Sequence, residues 1–479
     1  MIRPVGQVAL REFHTFEAAG QKFLYLVPSA GIFQIDAASS AILDLLSWGP
    51  RAPGEVVNSL SDRFPADRLH DGLTELRHIR AIGDAGAPVD QVVNDLPPEG
   101  FPLTTMVLNV TNKCNLACTY CYEYGEDQIV DPTCTDDPKF MADETAREGV
   151  EFLLRESGPL EVAHLTFFGG ETLLNFPVLQ DTVAYARRRG EEVGKRIEFS
   201  LTTNATLLRP DIIEWLADNE IGVTVSIDGP QEMQDRMRVF HSGKGSYETV
   251  KPRIRELLRR HKSRPIGARV TLTRENLDIH RIYHHLTEDM GFWEVGFAPV
   301  TTSSGRDYEI TDEGYDRMLR QFDELGREWL EHAVENRHHG FTNVKDTLEE
   351  IHKGVSKAYP CGAGLGLMGV TTGGDVSLCH RFAYSSDHSF GTVAEGIDRE
   401  RQRDFLEEHH VKNKTECHTC WARPICSGGC YHEAYTRHGE TTAPNLHFCT
   451  WVRTWTHTCL EIYGELSERN PGYLARFDH

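Results

Sequence analysis

Short runs of alternating apolar and polar positions open the chain. Val8–Phe16, Lys22–Val27 and Gly31–Ile35 read as strands, broken at Ala19-Gly20 and Pro28-Ser29. The period then lengthens. Ile42, Leu45 and Leu46, next Val56, Val57 and Leu60, and then Leu69, Leu73, Leu76 and Ile79 recur at helical spacing. Three strands followed by three helices predict an α+β module over residues 1–95. The interval 84–103, rich in Pro, Gly and Asp, reads as a linker.

From 96 to 345 the pattern alternates. Strands are expected at Met106–Val110, Ala163–Phe168, Ile197–Thr202, Val223–Ile227, Gly267–Leu272 and Glu294–Ala298, with helical stretches such as Glu144–Arg155, Ile212–Asn219 and Tyr247–Arg260 between them. Six βα repeats predict an α/β unit with a parallel sheet, either doubly wound or a barrel. Ligands gather at the carboxyl ends of the strands in both. From 346 to 479 periodicity fades, Gly-rich turns multiply, and metal is expected to hold the chain together.

Composition narrows the chemistry. The chain has 479 residues, 12 cysteines and a formal charge of -22. More than half of that charge falls between residues 96 and 360. A broad basic face for nucleic acid or an anionic membrane is not expected. No apolar run is long enough to span a bilayer. The opening MIRPVGQVALREFH lacks a secretory signal pattern, so the expected compartment is the cytoplasm. In that reducing setting clustered cysteines bind metal or do chemistry more often than they pair.

Cys114, Cys118 and Cys121 follow the first strand of the six, spaced C-x3-C-x2-C. Three thiolates on one short loop can hold three irons of a [4Fe–4S] cluster, leaving the fourth without a protein ligand. A structural zinc site or plain core thiols are the alternatives. The spacing after that strand, with Tyr120 before the last cysteine, resembles the radical S-adenosylmethionine (SAM) enzymes. The resemblance implies a partial (β/α)6 TIM-type barrel. It also implies SAM bound at the open iron and cleaved by one electron to a 5′-deoxyadenosyl radical. Motifs in family order extend the likeness: Gly169-Gly170-Glu171 after the second strand, Thr203-Asn204 after the third, and Ser226 within SIDG in the fourth. They resemble positions lining SAM, and Arg238 is a candidate partner for its carboxylate. Strand-end capping and a surface ion pair are the plainer readings of these polar residues.

The C-terminal cysteines run Cys361, Cys379 with Gly374 ahead of it, Cys417-x2-Cys420-x5-Cys426-x3-Cys430, and Cys449. This resembles the seven-cysteine SPASM signature, whose domains hold two auxiliary [4Fe–4S] clusters. Carried over by position, Cys417, Cys420, Cys426 and Cys449 form one complete set. Cys361, Cys379 and Cys430 form three ligands of the other. Its fourth ligand is left open: none, a non-cysteine side chain, Cys459, or a substrate thiolate. Zinc-ribbon-like sites are the alternative. Cys134 and Cys459 fall outside both motifs and read as packing thiols.

The order of the first 95 residues resembles the winged-helix-like peptide-recognition domain fused to peptide maturases, which adds an extended peptide to a sheet edge. A dimerisation or packing module is the alternative. Within the radical SAM–SPASM enzymes, LYLVPSAGIF and GGETLLNF most resemble the maturation enzymes of quinohemoprotein amine dehydrogenase. Those link cysteine sulfur to side-chain methylene carbons of Asp or Glu in a small γ subunit. The resemblance implies three [4Fe–4S] clusters with SAM, a small peptide or protein substrate, and a flavodoxin- or ferredoxin-type electron donor. Asp235 is a candidate base, against the plainer reading of a helix-start carboxylate. Alternatives are an anaerobic sulfatase-type formylglycine maturase, another peptide cross-linking enzyme, and a non-catalytic iron–sulfur or zinc scaffold.

Overall fold

A computed structural model describes residues 6–87, 96–97, 100–132 and 134–478. Much of the interval expected as a linker lies outside the described residues, as does the start of the MIRPVG run.

In the N-terminal module β1 (Val8–Leu10), β2 (Phe13–Ala18), β3 (Gln21–Leu26) and β4 (Gly31–Ile35) precede α1 (Ala37–Leu46), α2 (Pro53–Leu60) and α3 (Ala66–His78), and β5 (Ile82–Asp84) follows. The single run expected over Val8–Phe16 is two strands. β1 leaves the β2-β3-β4 meander to pair antiparallel with β5, Val8 opposite Asp84. Three residues are too few for β5 to show a period. Asp36 opens α1 by accepting a hydrogen bond from the Ser39 amide at 2.8 Å, and Pro53 opens α2 where its missing N–H costs nothing. β3 is buried on both faces. Leu24 and Leu26 join the α1–α3 core, while Phe23 and Tyr25 face the main core. β4 is an edge, bordering a groove of about 640 Å³ that Phe33 and Gln34 line together with Glu75 and His78 of α3.

β6 (Thr105–Asn109), β7 (Val162–Phe168), β8 (Arg196–Thr203), β9 (Gly222–Ser226), β10 (Ile266–Leu272) and β11 (Glu294–Pro299) lie side by side in chain order, all parallel. The connections carry α4 (Asp143–Glu156), α5 (Phe176–Val193), α6 (Pro210–Asp218), α7 (Gln231–Met237), α8 (Tyr247–Arg260) and α9 (Ile279–His284). A strand order without reversal is that of a barrel wall and not of a doubly wound sheet. The fold is the expected partial (β/α)6 barrel. Leu108, Leu165, Leu201, Val225, Val270 and Phe297, one from each strand, are buried and hold the wall together.

After α10 (Asp312–Val334) and α11 (Thr342–Lys353) come β12 (Leu367–Val370), β13 (Asp375–Ser377), β14 (Ser389–Thr392) and β15 (Gly396–Ile397). α12 (Arg399–His409), α13 (Arg423–Cys426), α14 (Tyr431–His438) and α15 (Leu446–Arg469) complete the chain. β12 runs parallel to β6, Leu367 opposite Thr105, so the cysteine-rich region extends the barrel sheet. The weak periodicity read there needs correction, because α15 alone is 24 residues long. Its buried residues include Trp455, Cys459, Ile462 and Leu466. At Gly464 it meets the N-terminal sheet so closely that a Cβ would lie 2.6 Å from that of Ala18. The same junction stacks His14 on Trp421 at 3.7 Å, bonds His14 Nε2 to His457 Nδ1 at 2.8 Å, and pairs Arg423 with Glu12. Among the described residues no helix is long and apolar enough to cross a membrane.

Candidate active site

The chain leaves β6 at the carboxyl end of the barrel and enters the loop of Cys114, Cys118 and Cys121. These thiols border a cavity of about 510 Å³. Tyr120, Gly169, Gly170, Glu171, Thr203, Asn204, Ser226 and Arg238 all line it, brought there by the ends of β7, β8 and β9 and by the end of α7. Asp235 is not among the lining residues. Its carboxylate accepts the Tyr247 amide at 2.7 Å, at the start of α8.

Gly169 and Gly170 are required by close approach. A Cβ on Gly169 would lie 2.4 Å from the Thr111 carbonyl, and one on Gly170 2.3 Å from that of Lys113. Gly169 also holds φ at +135°, a region L side chains avoid. The Gly170 and Glu171 amides donate to those two carbonyls at 3.1 and 2.9 Å, fastening the end of β7 to the cysteine loop. Glu171 is buried, and burial raises its pKa against the bonds it accepts. It receives Thr203 Oγ1 at 2.6 Å and the Asn204 amide at 2.8 Å. Glu171 thus braces β7 against β8. Asn204 Nδ2 in turn reaches Asn115 Oδ1 at 3.0 Å and Cys114 Sγ at 3.8 Å.

Arg238 and Tyr120 converge on Asp228. Tyr120 donates to it at 2.6 Å, and Arg238 pairs with it at 3.0 Å, all buried. The Arg238 guanidinium lies 5.4 Å from the centre of the Tyr120 ring. Asp228 therefore neutralises the arginine read as a SAM carboxylate partner. Its other oxygen accepts the Thr271 amide at 3.1 Å, which ties β9 to β10.

Burial raises all three loop thiols, Cys121 to about 12, and the thiols add to one another's shift. Three close thiolates in such surroundings need a cation. All-sulfur ligation with three ligands fits a [4Fe–4S] cluster. Further along, Cys417, Cys420, Cys426 and Cys449 line a void of about 70 Å³. Burial lifts Cys417, Cys426 and Cys449 to about 11, each thiol pushed further by others of the set. Cys361 and Cys379 are likewise raised, by burial first and then by the charge of Cys430. The Tyr431 hydroxyl, buried without a partner, feels the charge of Cys361 and Cys430. An orphaned hydroxyl beside two of these thiols fits a group bound there. Lys414, also buried, is close enough to Cys417, Cys426, Cys449 and Cys430 for their charges to offset its desolvation. Cys459 is fully buried on α15 with its thiol against Thr347, and Cys134 is exposed beside Asp131.

Several cavity residues carry no motif. Arg269, Tyr122, Glu123, His380 and Arg381 line the same space. Outside it, Asp127 pins the loop after β11 by accepting from Thr302 at 2.7 Å, Tyr308 at 2.8 Å and Arg306 at 2.9 Å. A charged residue at the inward-facing position of a strand, as Arg269 is, was the available signal.

Residues 108–286 match the Radical SAM superfamily. The chain is 27% identical over 365 residues to the serine-type anaerobic sulfatase-maturating enzyme of Bacteroides thetaiotaomicron, covering 71% of this chain and 85% of that one. In fold it resembles native anSMEcpe with bound AdoMet, with a TM-score of 0.62 and 19% identity over 79% of this chain and 99% of that one. SuiB of Streptococcus suis bound to its precursor peptide SuiA gives a TM-score of 0.50 and 13% identity over 91% and 98%. The barrel therefore has the radical SAM fold.

Proposed function

We propose that this chain is a radical SAM peptide maturase. It binds three [4Fe–4S] clusters and forms thioether links between cysteine sulfur and the side-chain methylene of Asp or Glu in a small protein, of the quinohemoprotein amine dehydrogenase γ-subunit type. The observation that carries the reading is a shared space. His380 and Arg381, the residues directly after Cys379, line the same cavity as the Cys114–Cys121 loop. Carbon activation and sulfur chemistry thus have one cavity.

A bound cluster supplies the electron that splits SAM and yields the hydrogen-abstracting radical. The chain's own residues do the rest. Cys114, Cys118 and Cys121 hold the cluster. Gly169 and Gly170 admit a close backbone approach, and Glu171 and Asp228 fix the strand ends. Cys417, Cys420, Cys426 and Cys449 hold one auxiliary cluster, and Cys361, Cys379 and Cys430 hold the other. The outer edge of β4 takes up an extended segment of substrate by strand addition. A flavodoxin- or ferredoxin-type protein supplies electrons.

The second reading, a sulfatase-type formylglycine maturase, draws on the 27% identity to such an enzyme. Mass alone does not separate the two when serine is oxidised, since each product lacks two hydrogens. The test is co-expression with a small protein rich in Cys paired with Asp or Glu, followed by tandem mass spectrometry. A thioether gives linked fragments, resists iodoacetamide and ignores an aldehyde-reactive hydrazide. A hydrazide adduct points to the sulfatase-type reading. Unchanged substrate beside 5′-deoxyadenosine production overturns the thioether reading.

A further inference from the structure

We propose that Arg269 and Arg381 form a seat for the side-chain carboxylate of an acidic residue in the substrate, resting on the reading of the cavity as a peptide-modifying site. Arg269 is in register with Ser226 of β9 and Gly296 of β11. Neighbours in register share a face of the sheet, so Arg269 enters the barrel beside Ser226, with Thr271 two residues further along the same face. Gly296 leaves room: a Cβ there would stand 3.2 Å from Arg269 Nη1. Arg381 arrives from the auxiliary side. It donates to Thr301 Oγ1 at 3.0 Å and lies over the Tyr122 ring at 4.6 Å.

Both guanidiniums line the cavity, and among the described residues neither has a carboxylate in an ion pair. Arg238, on the same cavity, has Asp228. Arg381 feels Tyr122 and the thiols of Cys430 and Cys379 before Glu433, and Glu433 is itself engaged by Asn445 at 2.8 Å and by Thr301. Asp346 influences Arg269, which is opposed by burial and by the charge of Arg381. Two cations on one cavity, close enough to feel each other's charge, cost free energy unless an anion joins them. The planar, two-oxygen anion that matches a guanidinium fork is a carboxylate.

Two carboxylates could come here, that of SAM and that of the substrate. The residues resembling a SAM site belong to β6–β9, whereas these arginines stand on β10 and directly after Cys379. A carboxylate held between them keeps the adjoining methylene close to both metal sites.

The test is equilibrium dialysis of N-acetylglutamate N-methylamide and its glutamine counterpart against the cluster-loaded, SAM-bound holoenzyme. The wild type should hold the glutamate probe about tenfold tighter or more. Arg269→Gln and Arg381→Gln should each erase that preference, and Arg381→Lys should restore part of it. Affinity for SAM should stay within about twofold in these variants, since charged hydrogen bonds to SAM would cost more than that. Weaker SAM binding with no change between the two probes would assign the seat to SAM and overturn the proposal. So would a wild type that does not distinguish glutamate from glutamine, a result that needs no variant to fold. Failure of the maturase reading shows separately, as a wild type that makes 5′-deoxyadenosine but leaves every co-expressed small protein unmodified.

Discussion

Asp228 receives Tyr120, 108 residues away in sequence, and Arg238, which it neutralises. Breaking a buried ion pair from one side leaves a charge without a partner, which costs about 3–5 kcal/mol. Asp228→Asn should destabilise the cluster-loaded protein by that order in anaerobic thermal unfolding. The double variant Asp228→Asn/Arg238→Met should recover much of the loss. A single variant as stable as the wild type would show that Arg238 finds another counter-charge. The sequence made SIDG visible as a strand end, and its aspartate acquired a role only when distant residues met it. The cysteine motifs stood out in the sequence because runs such as C-x3-C-x2-C and C-x2-C-x5-C-x3-C are local. Arg269 and Arg381 were not, since an isolated charge carries no pattern until its surroundings are known. Asp235 illustrates the converse: an acid close in sequence to the strand ends bonds to the start of α8.

Strands with a regular alternation were the most legible. Each barrel strand falls within one residue of its expected bounds, because buried positions alternate along β7, β8, β9 and β10 between clear turns. Tyr247–Arg260 matches for a related reason, one apolar stripe facing the barrel. α15 escaped notice because its buried residues include Thr456, Thr458 and Gly464, so no clean apolar stripe marks it. β4 owes its interest to an outer edge that has no neighbouring strand among the described residues. Phe33 is 38% exposed on the groove between that edge and α3. Phe33→Asp should leave thermal stability within about 0.5 kcal/mol, as surface substitutions do. Its effect should be an approximately tenfold loss in binding of full-length substrate, as when an interface anchor is lost. Calorimetric titration of the holoenzyme reads that directly, and an unchanged affinity would remove the β4 groove as the capture site.

At the scale of the whole molecule, a chain of charge -22 repels an acidic peptide at long range. Local cations must then account for any preference for acidic residues. On the proposed reading the cysteines form three metal stations, one at the end of the barrel sheet and two in the C-terminal region. About 12 iron atoms per chain are expected. Cys417→Ala should lower that to about 8, by analogy with loss of one four-iron cluster. It should still make 5′-deoxyadenosine while failing to link its substrate. Cys114→Ala should make none. Iron assay together with chromatography of 5′-deoxyadenosine checks both, and cross-linking by the Cys417 variant would detach that station from the reaction.

α15 carries Cys449 near one end and Gly464 near the other, where it rests under the sheet that ends in β4. On the proposed reading, one helix joins an auxiliary cluster site to the sheet that takes up substrate, so cluster loading should tighten the grip on substrate.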